Sequence, residues 1–380
     1  MNQFIEIINK KERQIIGLMS GTSLDGVDIA FARFRGAGSE VTIEPIAFSS
    51  YPFSTSWRQR IQNAFNTDTE EICRIHYDLG HLFADLIERF RKENHISGGQ
   101  IDAIGSHGQT LFHVHHHSTL QAGESEIIAH RHDCVVISDF RSGDIAAGGS
   151  GAPLVPYLDY TLYREPGQRI GLLNLGGIAN ITCLPGNPNE AVLAFDTGPA
   201  NAILNETVEL LTGGEHPFDK NGSFSKQGVV VPKLLEELLS HPYFDTPPPK
   251  STGREAFGKA FVQNMVNRHA NIRLNDLLRT FVAFIARSVK HSCDRWLYPL
   301  DTIYVSGGGV HHPLLMEDLK GGFDEGIVQS LPTRSGITVD SKEAVAFALL
   351  AHECLNGTPT NIPSVTGAGQ PAILGKITLP

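Results

Sequence analysis

A polar turn between two apolar runs is the first segment whose residues could do chemistry. It lies in IIGLMSGTSLDGVDIAFARF, residues 15–34. Gly21 and Gly26 allow a tight backbone that approaches a ligand closely, and Thr22 and Ser23 add hydroxyl groups to any cluster of N–H donors. Turn chemistry alone favours an ordinary hairpin connection. A phosphate-binding turn is the alternative.

The negative net charge of the chain favours a small-molecule ligand over a nucleic acid or a membrane. Lys and Arg number 31 against 41 Asp and Glu, a formal charge of −10, which disfavours a large nucleic-acid or anionic-membrane surface. An anionic ligand would then need backbone N–H groups or a metal ion. Asp25 and Asp28 strengthen the phosphate interpretation of the turn, because carboxylates beside a phosphate are explained by a bridging Mg²⁺.

Asp196 is the strongest candidate for acid–base chemistry. The stretch 191–211 predicts a strand that stops at Asp196, then a turn, then a helix with Pro199 near its start. The positive end of a helix dipole favours an ionised carboxylate, which can accept a proton. A capping or turn role fits the sequence equally well, although Thr197 competes for the cap.

A second polar stretch, SDFRSGDIAAGGSGAPLVP at 138–156, spaces Asp139, Arg141 and Asp144 closely. Arginine binds carboxylates in bidentate fashion, and paired Asp and Arg side chains suit sugar hydroxyls. A salt-bridged loop of little energetic value, with its glycines serving as a flexible hinge, is the structural alternative.

Two other patterns are weaker. GREAFGKA at 253–260 nearly matches a P-loop, but Ala260 replaces the Mg²⁺-binding hydroxyl, and the Pro-rich 241–255 before it predicts a surface loop rather than a strand. We interpret the match as chance. The histidines within 113–117 predict an exposed polar loop rather than a metal site.

The chain predicts an α/β protein of two domains. Its 380 residues exceed one usual core, and similar hairpins at 15–34 and 169–184 suggest a duplicated architecture, one hairpin per domain. We expect domain I at 1–135, with the tail 362–380 returning to it, and domain II at 136–361. Five dispersed cysteines and no long apolar stretch favour a cytoplasmic protein.

Other elements follow from periodicity. The spacing of apolar residues predicts a helix over 69–94 and another over 341–356 with Ser341 as its cap. IDAIGSHGQT at 101–110 predicts a short buried strand that ends in a polar loop. DTIYVSGGGVHHP at 301–313 predicts a strand that delivers three glycines into a turn.

In eight ordered blocks the chain resembles the anhydro-N-acetylmuramic acid kinase family, a branch of the sugar kinase, Hsp70 and actin superfamily. The blocks are GLMSGTSLDGVD, IGSHGQT, SDFRSGDIAAGGSGAPLVP, NLGGIANIT, FDTGPAN, PPKSTGRE, SGGGVHHP and SKEAVAFALLAH. This resemblance implies an actin-like ATPase fold with ATP in the cleft between two domains. It also implies a small-molecule sugar substrate, and we expect a homodimer without nucleic-acid or membrane partners.

The resemblance also implies roles for individual residues. It places the ATP phosphates at Gly21, Thr22, Ser23, Leu24, Asp25, Gly26, Val27 and Asp28 and at Gly176 and Gly177, and the adenosine at Gly307, Gly308 and Gly309. Asp25 or Asp28 would reach Mg²⁺, and Asp196 resembles the catalytic base. The sugar side would comprise Ser106, His107, Asp139, Arg141, Asp144 and Glu343.

The implied reaction couples hydrolysis to phosphorylation. Water deprotonated by the base attacks C1 of 1,6-anhydro-N-acetylmuramic acid, and the freed O6 takes the γ-phosphoryl group, giving N-acetylmuramic acid 6-phosphate for murein recycling. Levoglucosan kinase and a catalytically silent actin- or Hsp70-like module are the alternatives. Two departures from the family pattern are Ala200, which a negative φ would tolerate, and LQAGES at 120–125, where the contact with the sugar is in question.

Overall fold

The computed structural model describes residues 2–21, 24–187 and 189–380. Its contacts divide the chain into two compact units, unit 1 (Met1–Leu162 and Thr333–Pro380) and unit 2 (Tyr163–Pro332). The expected division had its boundaries at 135/136 and 361/362. Unit 1 extends further because the strand after 135 pairs inside its sheet and the helix after 341 packs on that sheet.

The regular elements are as follows. The strands are β1 (Glu12–Ser20), β2 (Gly26–Arg35), β3 (Thr42–Pro52), β4 (Ala103–Val114), β5 (Ser118–Ala122), β6 (Val135–Ser138), β7 (Ile170–Leu175), β8 (Ile178–Leu184), β9 (Leu193–Pro199), β10 (Thr302–Ser306), β11 (Val328–Ser330) and β12 (Lys376–Thr378). The helices are α1 (Asn2–Asn9), α2 (Thr55–Ala64), α3 (Thr69–Glu93), α4 (Ser125–His132), α5 (Phe140–Ala146), α6 (Pro156–Tyr163), α7 (Asn201–Thr212), α8 (Pro232–Leu239), α9 (Arg254–Phe257), α10 (Lys259–Arg268), α11 (Leu274–Trp296), α12 (Pro313–Gly321), α13 (Lys342–Asn356) and α14 (Pro363–Thr366).

Both units repeat one sheet topology. In unit 1 the order is β12-β6-β4-β1-β2-β3, with β5 paired to β4, and in unit 2 it is β11-β10-β7-β8-β9. Each sheet therefore has an antiparallel three-strand meander, β1-β2-β3 or β7-β8-β9, followed by two parallel strands. The predicted α/β fold class and the duplicated hairpins are confirmed.

Helix α3 confirms the helix predicted over 69–94. The Asp68 side chain accepts the N–H of Glu71 at 2.9 Å and so caps the helix. Its apolar face, which includes Ile75, Leu79 and Phe83, is buried in the core of unit 1. The apolar spacing, the cap and the burial all favour the same element.

Two predicted boundaries need correction. Strand β4 runs to Val114 instead of ending near 110, because β5 pairs with its second half. Pro199 is the last residue of β9 rather than the first of a helix. A proline is tolerated there because β9 is an edge strand of its sheet, where an N–H need not be shared with a further strand.

Helix α13 occupies the predicted range and packs on β1, β2 and β4 of unit 1. Ser341 is at the cap position, but its hydroxyl oxygen accepts the N–H of Thr338 at 3.0 Å and does not cap the helix.

The C-terminal tail belongs to unit 1, since β12 pairs antiparallel with β6. Within the described ranges, no helix is both long and apolar enough to cross a membrane.

Candidate functional site

Asp196 lies on β9 and is held by the segment that follows α8. Its backbone N–H donates to the carbonyl of Lys250 at 3.1 Å, and the Tyr243 hydroxyl donates to its carbonyl at 2.6 Å. The N–H of Thr252 donates to Oδ2 at 2.9 Å. Backbone and side chain are thus both fixed by residues 243–252, which makes Asp196 a positioned carboxylate.

The environment of Asp196 suits a general base. Burial raises the pKa of its carboxyl group, the N–H of Thr252 opposes that rise, and the charge of Glu255 adds to it. Within the described part of the chain, Oδ1 makes no hydrogen bond and is available to a water molecule. A base with a raised pKa holds an abstracted proton more firmly than an ordinary aspartate does.

The helix end expected to favour an ionised Asp196 is bonded to the β7–β8 turn. Helix α7 begins at Asn201, and the N–H groups of Asn201 and Ala202 donate to the carbonyls of Gly176 and Gly177 at 3.0 and 3.1 Å. These bonds occupy part of the helix end. Ala200, at the cap position, has φ −140°, so the condition for tolerating alanine there is met.

The glycine turns of unit 2 come together. Gly176 and Gly177 connect β7 to β8, and Gly307, with φ +85°, follows β10. A Cβ on Gly307 would lie 2.5 Å from Oδ1 of Asn174, the residue two positions before that turn. Two glycine groups that are far apart in sequence therefore lie in one region of unit 2.

The rest of the triple glycine lies in the same region. Gly308 and Gly309 begin a short 3₁₀ helix, and a Cβ on Gly308 would lie 3.5 Å from Nδ2 of Asn201. Nδ2 of Asn201 in turn donates to the carbonyl of Leu175 at 2.9 Å. The start of α7 thus connects the hairpin turn to the glycine loop.

In unit 1, β1 and β2 form the predicted hairpin. Thr22 and Ser23, expected to bind phosphate, lie outside the described residues. The carbonyl of Gly21 accepts the Gln109 side chain at 3.2 Å. Leu24 and Val27 bury their side chains in the core of the unit, so they could meet a ligand only through the backbone.

Gly26 is explained by strand packing rather than by approach to a ligand. It pairs with Pro52 in the β2–β3 ladder, where a Cβ would lie 2.2 Å from the carbonyl oxygen of Tyr51. The sequence expectation assigned this glycine to the turn. Close contact with β3 requires glycine at this position whatever the turn binds.

Two carboxylates in unit 1, Asp28 and Glu343, both have raised pKa values. Burial raises the pKa of Asp28, and the charges of Asp340 and Asp25 raise it further. Burial also raises the pKa of Glu343, with the charge of Asp28 as the next cause. Asp25 is exposed at the end of the turn. Close carboxylates of this kind are the oxygen ligands that Mg²⁺ accepts, although the described residues contain no group of three or more metal-binding side chains.

His107 and Arg141 form a buried pair. Nε of Arg141 donates to Nε2 of His107 at 3.1 Å, while Nδ1 of His107 lies 2.8 Å from the carbonyl of Gly108. Arginine can only donate and a carbonyl can only accept, so the proton is assigned to Nδ1. Burial, followed by the charge of Arg141, lowers the pKa of His107 to about 3. The imidazole is therefore neutral.

Two more of the sugar-side residues are close to this pair. Glu343 is near enough to Arg141 for its charge to raise the arginine pKa, although burial lowers that pKa more strongly. The hydroxyl of Ser106, adjacent to His107 on β4, is buried and has no hydrogen-bond partner among the described residues. A buried hydroxyl without a partner is costly unless a ligand or water satisfies it.

Asp144 has a different environment from the other sugar-side candidates. It is fully buried; Oδ2 accepts the N–H of Gly151 at 2.7 Å, and Oδ1 accepts from Asn361 at 2.9 Å and Thr366 at 2.6 Å. A Cβ on Gly149 would lie 2.2 Å from Oδ2. This carboxylate anchors the glycine segment to the C-terminal tail, so the glycines are not a plain hinge.

Asp139 lies at the edge of this cluster. It has a positive φ of 54°, bonds Ser142 on its own helix α5, and pairs with Lys376 of β12. The structure therefore brings Ser106, His107, Arg141 and Glu343 together, while Asp139 and Asp144 bond to the chain itself.

The segment 241–255 is more than the surface loop that its prolines predict. Lys250 is buried, its Nζ donates to the carbonyl of Tyr243 at 3.1 Å, and it packs 4.6 Å from the centre of the Tyr243 ring. The same segment provides Thr252 to Asp196. The block PPKSTGRE, one of those that resemble the family, was the feature of the sequence that could have indicated this role. Its prolines by themselves predict an ordinary loop.

The weaker patterns agree with their interpretation. The segment 253–260 forms α9 and the start of α10 and follows no strand, so it lacks the context of a P-loop. The histidines at 115–117 are exposed at the turn between β4 and β5, as the sequence predicted, whereas His113 is half-buried on β4 rather than in the loop.

Comparison with known proteins gives the family. Residues 13–380 match the family model described as anhydro-N-acetylmuramic acid kinase. A relative with that name from Caldanaerobacter subterraneus subsp. tengcongensis is 41% identical over 398 aligned positions, covering 100% of both chains. Another with that name from Bacillus thuringiensis subsp. konkukian is 41% identical over 380 positions, 96% of this chain and 99% of its own. This chain belongs to the anhydro-N-acetylmuramic acid kinase family.

Among solved structures, component A of the (R)-2-hydroxyglutaryl-CoA dehydratase of Acidaminococcus fermentans aligns with 90% of this chain and 99% of its own, at 11% identity and a TM-score of 0.43. A likeness of that degree says nothing about activity.

Proposed function

We propose that this chain is an ATP-dependent kinase that opens the 1,6-anhydro bridge of 1,6-anhydro-N-acetylmuramic acid and phosphorylates O6. The products are N-acetylmuramic acid 6-phosphate and ADP, which would place the enzyme in the recycling of murein. The observation that carries the proposal is Asp196, a fixed carboxylate with one unused oxygen, in a chain whose full-length relatives have this name. Levoglucosan kinase and a silent nucleotide-binding module are not favoured by that membership.

Asp196 acts as the general base in this reaction. Oδ1 takes a proton from water, the water oxygen bonds to C1 of the sugar, and the C1–O6 bond breaks with its electron pair moving to O6. O6 then bonds to the γ-phosphorus as the bond between that phosphorus and its bridging oxygen breaks, leaving the electron pair on ADP. The raised pKa of Asp196 suits a group that must retain the proton it removes.

The nucleotide would be held by backbone groups in glycine turns. In unit 2, the turn 176–177 and Gly307–Gly309 are the proposed phosphate and adenosine contacts, supported by their meeting at Asn174 and Asn201. In unit 1, the proposed phosphate contact is the turn 21–28. Phosphoryl transfer depends mainly on such positioning and on charge neutralisation.

Magnesium is the proposed metal. Asp28 and Asp25 would hold it together with phosphate oxygens, and their oxygen donors fit the preference of this ion. Burial and the charges of Asp340 and Asp25 raise the pKa of Asp28, and a bound cation would favour the ionised form of this carboxylate. When bound, the ion supplies positive charge to the phosphates.

The sugar would lie against Ser106, His107, Arg141 and Glu343. A neutral His107 with Nε2 occupied by Arg141 leaves the arginine's remaining N–H groups for the substrate carboxylate or hydroxyls. Asp139 and Asp144 are proposed to act through the loop they hold rather than by contact with the sugar.

We further propose a cytoplasmic homodimer, which light scattering coupled to gel filtration would check.

A single assay tests the function. The protein is mixed with ATP, Mg²⁺ and either 1,6-anhydro-N-acetylmuramic acid or levoglucosan at equal concentration, and ADP release is followed. We expect release that depends on the muramic sugar and is faster than with levoglucosan. Preference for levoglucosan would overturn the named substrate, and ADP release independent of sugar would overturn the kinase.

A further inference from the structure

The segment that positions Asp196 also delivers an arginine to the hairpin turn of unit 2. Thr252 donates to the Asp196 carboxylate, and two residues later the guanidinium of Arg254 reaches Gly177. One terminal nitrogen of Arg254 lies 4.0 Å from the position that a Cβ on Gly177 would occupy. Gly177 has no side chain, and Cβ of Ala202 lies 3.9 Å from the same position, so the guanidinium lies close to the backbone of the turn.

Arg254 is available to a ligand. Its side chain is exposed, and it has no ion pair or hydrogen bond to any residue in the described part of the chain. Lys250, the other cation of this segment, is buried and bonded to the carbonyl of Tyr243. Arg254 is therefore the basic side chain of the segment that is free to move toward an anion.

The reaction requires positive charge near the γ-phosphoryl group. The chain carries a net charge of −10, and its described residues contain no P-loop lysine in a strand-to-helix context, so a cationic side chain at the site would add to the positive charge of Mg²⁺. A planar guanidinium can donate two parallel N–H bonds to phosphoryl oxygens. In phosphoryl transfer a single arginine of this kind changes the rate by ~10³–10⁵-fold.

We propose that Arg254 is a catalytic residue that donates hydrogen bonds to the γ-phosphoryl oxygens during transfer. This inference rests on the proposed function. Arg254 keeps its protons and forms no covalent bond. It stabilises the charge on the transferring group while the bond to the ADP oxygen breaks and the bond to O6 forms.

The test compares two substitutions that remove one positive charge each from the same stretch. Arg254→Gln is expected to lower kcat by ~10³-fold with less than about a threefold change in the KM of the anhydro sugar. Lys259→Gln, at the exposed start of α10, is the matched control and should stay within about twofold of wild type. Arg254→Lys, which keeps the charge but loses the planar fork, should recover part of the loss.

A binding measurement separates catalysis from a structural effect. ADP alone, and ADP with aluminium fluoride as a mimic of the transferring phosphoryl group, are titrated into wild type and Arg254→Gln by calorimetry. We expect the variant to bind ADP as wild type does, to lose at least tenfold in affinity for the aluminium fluoride complex, and to keep its Tm. A fall in Tm, or equal loss for both ligands, would overturn the proposal, as would a rise only in the sugar KM.

The two proposals fail in different ways. A wild-type protein that ignores the anhydro sugar but binds the aluminium fluoride complex through Arg254 contradicts only the named reaction. A wild-type protein that phosphorylates the sugar, with Arg254→Gln at the same kcat, contradicts only the role of Arg254.

Discussion

Asp196 in unit 2 and Asp144 in unit 1 have the same side chain, but their burial and hydrogen bonds suit different roles. Asp144 is fully buried and both its oxygens accept hydrogen bonds from the chain, whereas Asp196 is half-buried with only Oδ2 bonded to a residue of the described chain. A carboxylate whose oxygens are both hydrogen-bonded to the chain stabilises the local fold. One with an unused oxygen and a raised pKa can take part in a reaction.

The contrast extends to the neighbouring residues. Around Asp144 the bonds connect Gly151, Asn361 and Thr366 into one packed cluster. Around Asp196 the segment 243–252 fixes the carboxylate from one side and leaves the other accessible. Substitutions should therefore affect stability at the first aspartate and turnover at the second.

The largest expected effect is on turnover at Asp196. Asp196→Asn keeps the shape of the side chain but removes the base, so kcat should fall by ~10²–10⁴-fold. The affinity for ATP, measured by calorimetry, should change little. Asp245→Asn, at an exposed position on the 3₁₀ turn of the same segment, is the control. Turnover of Asp196→Asn near that of wild type would rule out the assignment.

Asp144 should affect stability more than chemistry. Asp144→Ala leaves the N–H of Gly151 and the Asn361 and Thr366 donors without their acceptor, which should lower the free energy of unfolding by about 3 kcal/mol. Urea unfolding measures this, with Asp139→Asn, at a partly exposed position, as the milder comparison. An unchanged midpoint together with a large rise in the sugar KM would instead place Asp144 in contact with substrate.

The pH dependence of kcat/KM should report the raised pKa of Asp196. The base is active when ionised, so activity should fall about tenfold per pH unit once the pH drops below that pKa. Because burial raises the pKa, this acid limb should lie above the usual range for aspartate. Glu343 also has a raised pKa. The limb should persist in Glu343→Gln, and its disappearance there would assign it to Glu343.

The smallest expected effect comes from Tyr243. Tyr243→Phe removes the hydroxyl that donates to the Asp196 carbonyl at 2.6 Å, a bond whose net value is about 1 kcal/mol. We expect kcat to fall less than about tenfold. Tyr298→Phe, at a side chain that is 74% exposed, is the control. A loss as large as that of Asp196→Asn would mean that Tyr243 takes part in the chemistry directly.

The sequence indicated the elements better than their polar connections. The hairpins, α3 and α13 follow from local periodicity and were predicted correctly. Long-range hydrogen bonds leave no periodic signal, so the bonds from Asp144 to the tail and from Thr252 to Asp196 could not be read from spacing. Gly26 shows the same limit, because its contact with Tyr51 arises from strand pairing rather than from the turn.

The mass of the phosphorylated product tests the central claim most directly. If Asp196 activates water at C1 while O6 accepts the phosphoryl group, mass spectrometry will find a product heavier than the anhydro sugar by one water and one phosphoryl group. Asp196→Asn should form it only in traces. A product that gains the phosphoryl group without the water, with its anhydro bridge intact, would contradict the account.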